Sequence, residues 1–147
     1  MKVIYTTIVL LIGFLLAIQG SVNTQLTTFL KHPVQGALVN FLVGFLCLLA
    51  LNVIFKTQIP DWGHLKTTPW YLFAGGILGA IFVSSVIFFI PKIGVTTVLA
   101  ASIAGQLIAA SIIDHFGFFG LTTHPISAGR IGGILLLVGG IFLIQKY

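Results

Sequence analysis

The chain of 147 residues contains only two carboxylates, the side chains best suited to proton or ion coupling. One of them, Asp114, lies at the end of the apolar run in "GQLIAASIIDHFGFFG". Carboxylates inside membrane segments often mark transport pathways, but ionisation costs much less near the interface than at the centre. We therefore favour an ion pair between Asp114 and Arg130, across the short loop that separates them, over a proton relay.

The remaining reactive side chains do not form a catalytic or metal-binding pattern. The lone Cys47 excludes a disulfide framework, and packing is its expected role. We find no nucleophile–base pair or glycine-rich phosphate loop in the apolar segments, and we expect neither an enzyme nor a cofactor. The histidines fall in loops or at segment ends, without the spacing of metal ligands: His32, His64, His115 and His124.

Composition identifies the solvent around these residues. Hydrophobic residues make up 58% of the chain and charged residues 6%, whereas soluble domains have roughly a quarter charged residues. A single core could not bury that much apolar side chain, so the class is integral membrane protein surrounded by lipid. The net charge of +5 is spread between apolar segments, which excludes a nucleic-acid-binding patch.

The apolar segments predict an all-α membrane protein with five transmembrane helices in a single domain, residues 1–147. A helix needs about 20 apolar residues to cross the hydrocarbon core. Trp62, Trp70 and Tyr71 suit the headgroup layer at the segment ends. The predicted spans are about 3–30, with its second half more polar, then about 34–55, 71–90, 95–113 and 128–145.

Positive charges do not favour either orientation. Five spans place the termini on opposite faces, and the charges divide four against three between those faces. A near-even division is what a protein inserted in both orientations needs, because the positive-inside rule then has little to act on. The face of the N-terminus receives Lys2, Lys56, Lys66 and Arg130, and the opposite face receives Lys31, Lys92 and Lys146.

Neutral polar side chains interrupt several spans, and an unpaired amide in lipid costs several kcal/mol. Gln19 and Asn23 share one stripe of the first helix at i, i+4 spacing. We expect these two and Gln106 of the fourth span to line a cavity that binds solute. Interhelical hydrogen bonding is the alternative, and we favour it for Asn40 and for the serines at 84 and 85.

Small residues in two spans favour close helix contact, which lipid-embedded helices need for packing. Gly75 and Gly79 lie four apart in the third span, where packing and the general frequency of glycine in membrane helices explain the pattern equally well. In the fifth span two pairs of adjacent glycines repeat at a spacing of seven residues, which favours a helix–helix contact within one chain or between two. These pairs are Gly132 with Gly133 and Gly139 with Gly140.

The chain resembles the short YdcZ-type branch of the drug/metabolite transporter superfamily. The most specific stretches are "PKIG", "AGQLIAASIIDHFGFFG" and "PISAGRIGGILLLVGGIFL". The resemblance implies half of a ten-helix inverted-repeat transporter. The small multidrug resistance relatives carry a glutamate in the first helix, where this chain has Gln19 and Asn23 instead. That departure favours an uncharged or zwitterionic solute over a cationic drug.

Together these features predict a transporter protomer in a bacterial cytoplasmic membrane. It would move a small metabolite by alternating access and would work as an antiparallel homodimer. Its expected partners are membrane lipid, the solute and the second copy, and not nucleic acid. Two alternatives stay open: an accessory membrane scaffold that does not transport, and a half-transporter that pairs with a different, oppositely oriented chain.

Overall fold

A computed structural model describes residues 2–57 and 61–146, which are helical with short connections and without any strand. Five of the helices in these ranges are long and apolar enough to cross a membrane, so the predicted all-α membrane class is confirmed. The stretch 56–70 between the second and third spans also holds a short helix, and residues 58–60 of that stretch lie outside the described ranges. The helices are α1 (Lys2–Leu30), α2 (Pro33–Ile54), α3 (Trp62–Thr67), α4 (Ala74–Ile93), α5 (Val95–Phe116) and α6 (Ala128–Lys146).

The polar second half of α1 is helical, and its hydroxyl groups bond to the helix itself. Ser21 Oγ donates to the Ala17 carbonyl at 3.0 Å, and Thr24 Oγ1 donates to the Gly20 carbonyl at 2.8 Å. Thr27 repeats the pattern one turn later, donating to the Thr24 carbonyl at 2.7 Å. Each hydroxyl proton is thereby satisfied without water, so this half can enter lipid or pack against a neighbour.

The connection between α1 and α2 is as short as the sequence "KHP" predicts. Lys31 adopts a left-handed conformation, with φ of 63°, and its N–H donates to the Thr27 carbonyl at 2.7 Å. His32 then caps α2, because its Nδ1 accepts from the Val34 N–H at 3.2 Å. Pro33 occupies the first turn, where its missing N–H costs nothing.

The boundary between α4 and α5 lies within "PKIG", as predicted, although the helix ends later in that motif than the proline suggests. A 3₁₀ turn at Trp70–Phe73 leads into α4, which continues through Pro91 to Ile93. The break comes at Gly94, whose φ of 82° favours glycine. At its other end α5 runs past residue 113 to Phe116 and stops at Gly117, which has φ of 64°.

The described residues form two compact units that divide between Lys92 and Ile93. In the first unit, side chains from α4 pack against glycines of α1 and α2. A methyl group on Gly20 of α1 would lie 3.1 Å from Ile90 Cδ1, and one on Gly36 of α2 would lie 3.8 Å from Ile87 Cδ1. Ile87 is 1% exposed. These bare backbone positions let α4 side chains reach the backbones of α1 and α2.

The second unit is a pair of helices joined by a loop. α5 and α6 pack side by side, with a shallow apolar groove between them. Ser127 caps α6 by accepting the Arg130 N–H at 3.3 Å. The side chains along the groove are Ile108, Ser111 and Ile112 of α5, Ile126 of the loop, and Ile131, Ile134 and Leu135 of α6.

Replacing Gly36 by alanine should destabilise the first unit. The added methyl group would overlap the Thr27 methyl group, which a hydroxyl bond to α1 holds in place. Overpacking of this kind costs about 1–3 kcal/mol. Gly44→Ala in the same helix is the matched control, because nothing lies within 4 Å of the new methyl group. Unfolding by denaturant in bicelles measures both, and equal stability of the two variants would contradict this packing.

Candidate functional site

The first unit contains a groove that brings together two polar side chains from different helices. Its volume is about 340 Å³, and no side chain along it carries a charge. Most of its wall is one face of α2, at positions that recur every three or four residues. The residues along it are Gln19 of α1, Asn40, Phe41, Gly44, Phe45 and Leu48 of α2, and Val83 of α4.

Asn40 is the polar group of this groove that lacks a partner. Its Nδ2 is shielded from solvent and forms no hydrogen bond with any described residue. An amide donor buried in this way typically costs about 1–3 kcal/mol. The sequence favours an interhelical hydrogen bond for Asn40, but its Nδ2 forms no such bond in the structure.

The amides predicted to bind solute occupy three different environments. Gln19 is exposed and lines the groove with Asn40. Asn23 is buried, with 5% of its surface exposed, and it does not line this groove. Gln106 belongs to the second unit, where its side chain is exposed on α5. Their role in binding solute stays a prediction.

Two aromatic rings line the groove. Phe41 and Phe45 are one helical turn apart on α2, on the same face as Asn40. Phe41 also packs toward α4, because a methyl group on Gly79 would lie 3.5 Å from its Cζ. Gly44, between them in the sequence, has no atom of a non-neighbouring side chain within 4 Å of the position where a Cβ would stand. The groove is therefore open at Gly44.

The second unit holds an ion pair at the end of α5. Arg130 Nη1 lies 3.4 Å from Asp114 Oδ2 and also donates to the His124 carbonyl at 3.2 Å. The loop is fixed further by its backbone, since the His124 N–H donates to the Asp114 carbonyl at 2.8 Å and the Ile126 N–H donates to His115 Nδ1 at 3.3 Å. These contacts join both ends of the 117–127 loop, and the carboxylate has a cation as its neighbour.

The glycine pairs of α6 have open space where a Cβ would stand. A methyl group on any of them would meet nothing within 4 Å: Gly132, Gly133, Gly139 and Gly140. Their role in a helix–helix seam stays a prediction. Gly20 and Gly36 do pack against other helices, and so does Gly79 of the third-span pair, where an added Cβ would lie 3.5 Å from Phe41 Cζ.

Five long apolar helices with a largely apolar exterior define this protein as a multi-pass integral membrane protein. Residues 4–143 match the family described as "Putative inner membrane exporter, YdcZ", and the chain belongs to that family. It is 29% identical to the Inner membrane protein YdcZ of Escherichia coli (strain K12) over 135 residues, which is 91% of this chain and 89% of that protein. The protein is accordingly placed in a bacterial inner membrane, as predicted. No solved structure matches it.

A double-mutant cycle of Asp114→Asn and Arg130→Gln should give a coupling energy below about 1 kcal/mol, because both side chains are more than a third exposed. Arg130→Gln alone should cost more than Asp114→Asn alone, since it also removes the bond to the His124 carbonyl. Unfolding of purified protein in bicelles measures all three variants. A larger cost for Asp114→Asn would show that the carboxylate has a further role.

Proposed function

We propose that this protein is a transporter protomer that moves a small uncharged or zwitterionic metabolite across the inner membrane by alternating access. Membership of an exporter family over residues 4–143 carries the proposal. The uncharged groove of the first unit supports it, because a transported solute needs polar groups at membrane depth. We further propose that Gln19, Asn23 and Gln106 bind the solute by hydrogen bonds.

The working unit we propose is an antiparallel homodimer. Two oppositely inserted copies of a five-helix chain would generate the inverted repeat that is common in secondary transporters, as expected for the drug/metabolite transporter superfamily. The near-even charge distribution supports insertion in both orientations. The uncovered glycine pairs of α6 would hold the dimer, because small residues allow helices to approach closely in lipid.

Reporters fused to the C-terminus should detect it on both sides of the membrane. Alkaline phosphatase is active only outside, and green fluorescent protein is fluorescent only in the cytoplasm. Lys31→Ala changes the charge ratio of the two faces from four against three to four against two. It should raise the phosphatase signal, because the N-terminal face is then drawn to the cytoplasm.

The reverse change is Lys56→Ala with Lys66→Ala, which leaves two charges against three and should raise fluorescence. Lys31→Arg preserves the charge and serves as the matched control. Wild-type signal from one side alone would exclude the antiparallel homodimer. An oppositely oriented partner chain would then be needed.

Transport itself is tested with proteoliposomes loaded with a polar metabolite extract of bacterial cells. We expect the protein to deplete a small set of uncharged or zwitterionic compounds, as detected by mass spectrometry, and Gln106→Ala to abolish this depletion. Gln106 is exposed, so its loss should change the free energy of unfolding by less than about 0.5 kcal/mol. Gln35→Ala, which removes an exposed glutamine of α2 outside the proposed site, is the control.

Release of no compound by the wild-type protein would exclude transport and favour a scaffold role. Release that Gln106→Ala leaves unchanged would remove Gln106 from the binding site while keeping the transport function.

A further inference from the structure

We propose that an anionic phospholipid of the inner membrane binds in a groove between the α1–α2 connection and the second half of α4. The groove has a volume of about 490 Å³ and shares no lining residue with the groove beside Gln19. His32 and Val34 form one wall, and Phe88 and Phe89 form the other. The proposal concerns a lipid held by the protein, so it does not depend on the transported solute.

Positive charge borders this groove without a carboxylate to neutralise it. Lys92 Nζ lies 3.5 Å from the centroid of the Phe88 ring, and Lys31 immediately precedes His32. Asp61, the only aspartate or glutamate of the first unit, comes after the opposite end of α2. A phosphate would be attracted by both lysines, whereas the ammonium group of a zwitterionic headgroup would be repelled by them.

The imidazole of His32 adds a hydrogen-bond donor to the same wall. Its Nδ1 accepts from the Val34 N–H at 3.2 Å, and a ring nitrogen that accepts carries no proton. The proton of the neutral ring is therefore on Nε2, which can donate it to a phosphate oxygen. The next N–H groups of α2 are already used, because those of Gln35 and Gly36 donate to the His32 carbonyl at 3.1 and 3.2 Å. The donor at this end is thus the His32 side chain and not the helix terminus.

The rest of the groove suits an acyl chain rather than a free anion. Ser84 lines it eight residues before Lys92, so the groove extends about 12 Å along α4 from that lysine. The Phe88 ring provides apolar surface along this length, and the Ser85 hydroxyl already donates to the Ile81 carbonyl at 2.8 Å. A free phosphate would contact only the charged end, whereas a phospholipid would occupy both parts.

Native mass spectrometry of the purified full chain in detergent micelles tests this preference. The probes are phosphatidylglycerol, which is anionic, and phosphatidylcholine, which is zwitterionic, at equal concentration and with the same acyl chains. The wild type should retain a single phosphatidylglycerol at least about tenfold more often than phosphatidylcholine, since each lysine near a lipid surface contributes about fivefold. Inorganic phosphate at millimolar concentration should not displace it.

Removing both lysines should abolish the preference for the anionic lipid. In the variant with Lys31→Ala and Lys92→Ala, the two lipids should be retained within about twofold of each other, because the charge attraction is lost. The matched control is Lys56→Ala with Lys66→Ala, which removes the same charge from the opposite end of α2. All four lysines are exposed, and the control should keep the wild-type preference.

Two further variants test the donor and the groove separately. His32→Asn keeps the cap of α2, because asparagine can accept the Val34 N–H, but it lacks Nε2. It should lower phosphatidylglycerol retention about fivefold, the effect of one hydrogen bond. Ser84→Leu fills the part of the groove within the span without changing any charge, and it should also lower retention. Gly13→Leu is its control, because nothing lies within 4 Å of an added Cβ on Gly13.

The outcomes separate a lipid site from simpler explanations. Equal loss of preference in the two double variants would show attraction to net charge alone and overturn the site. Displacement by inorganic phosphate, or unchanged retention in Ser84→Leu, would overturn the lipid and leave a site for a small anion. A preference that only the change of Lys31 and Lys92 removes, with weaker retention in His32→Asn, would support the site whether or not proteoliposomes release metabolites.

Discussion

The hydrocarbon layer contains no water, so each polar group in the spans must find its hydrogen-bond partner within the protein. Several side chains of the described residues meet that requirement locally. The hydroxyls of α1 bond to carbonyls of the preceding turn, and the Arg130 guanidinium meets both a carboxylate and a carbonyl at the end of α5. Asn40 stands out against this background, because its Nδ2 is enclosed without any such partner.

Helix packing in this chain depends on the same solvent. Apolar side chains gain little by leaving lipid for protein, so association requires close contact rather than hydrophobic burial. Gly20 and Gly36 provide that contact by letting Ile90 and Ile87 of α4 reach the backbones of α1 and α2. The groove is a product of the same arrangement, since its wall is formed by these three helices where their side chains do not meet.

The sequence predicted the five spans closely, because an apolar run long enough to cross the membrane cannot be hidden from water in a soluble domain of this size. It did not predict the short helix α3, which lies in a polar stretch without an apolar period. It also placed the end of α4 too early, because a proline in the last turn removes few bonds and the true break needs the positive φ of Gly94. The packing glycines and the enclosed amide of Asn40 depend on which helix faces meet, and residue spacing within one helix does not contain that information. The pairing of Asp114 with Arg130 could be predicted from the sequence, because the chain has few ionised side chains and these two lie at either end of one short loop.

The connection between α1 and α2 has a consequence for how the chain enters the membrane during synthesis. Only Lys31 and His32 separate the two helices, and His32 is already bonded to the start of α2. So short a link keeps the end of α1 and the start of α2 on the same face, so either the tip of this hairpin crosses the membrane or the N-terminus crosses and the tip stays behind. The first choice of direction by the nascent chain is therefore made at that tip, where it decides whether Lys31 is translocated, before α5 and α6 have been synthesised.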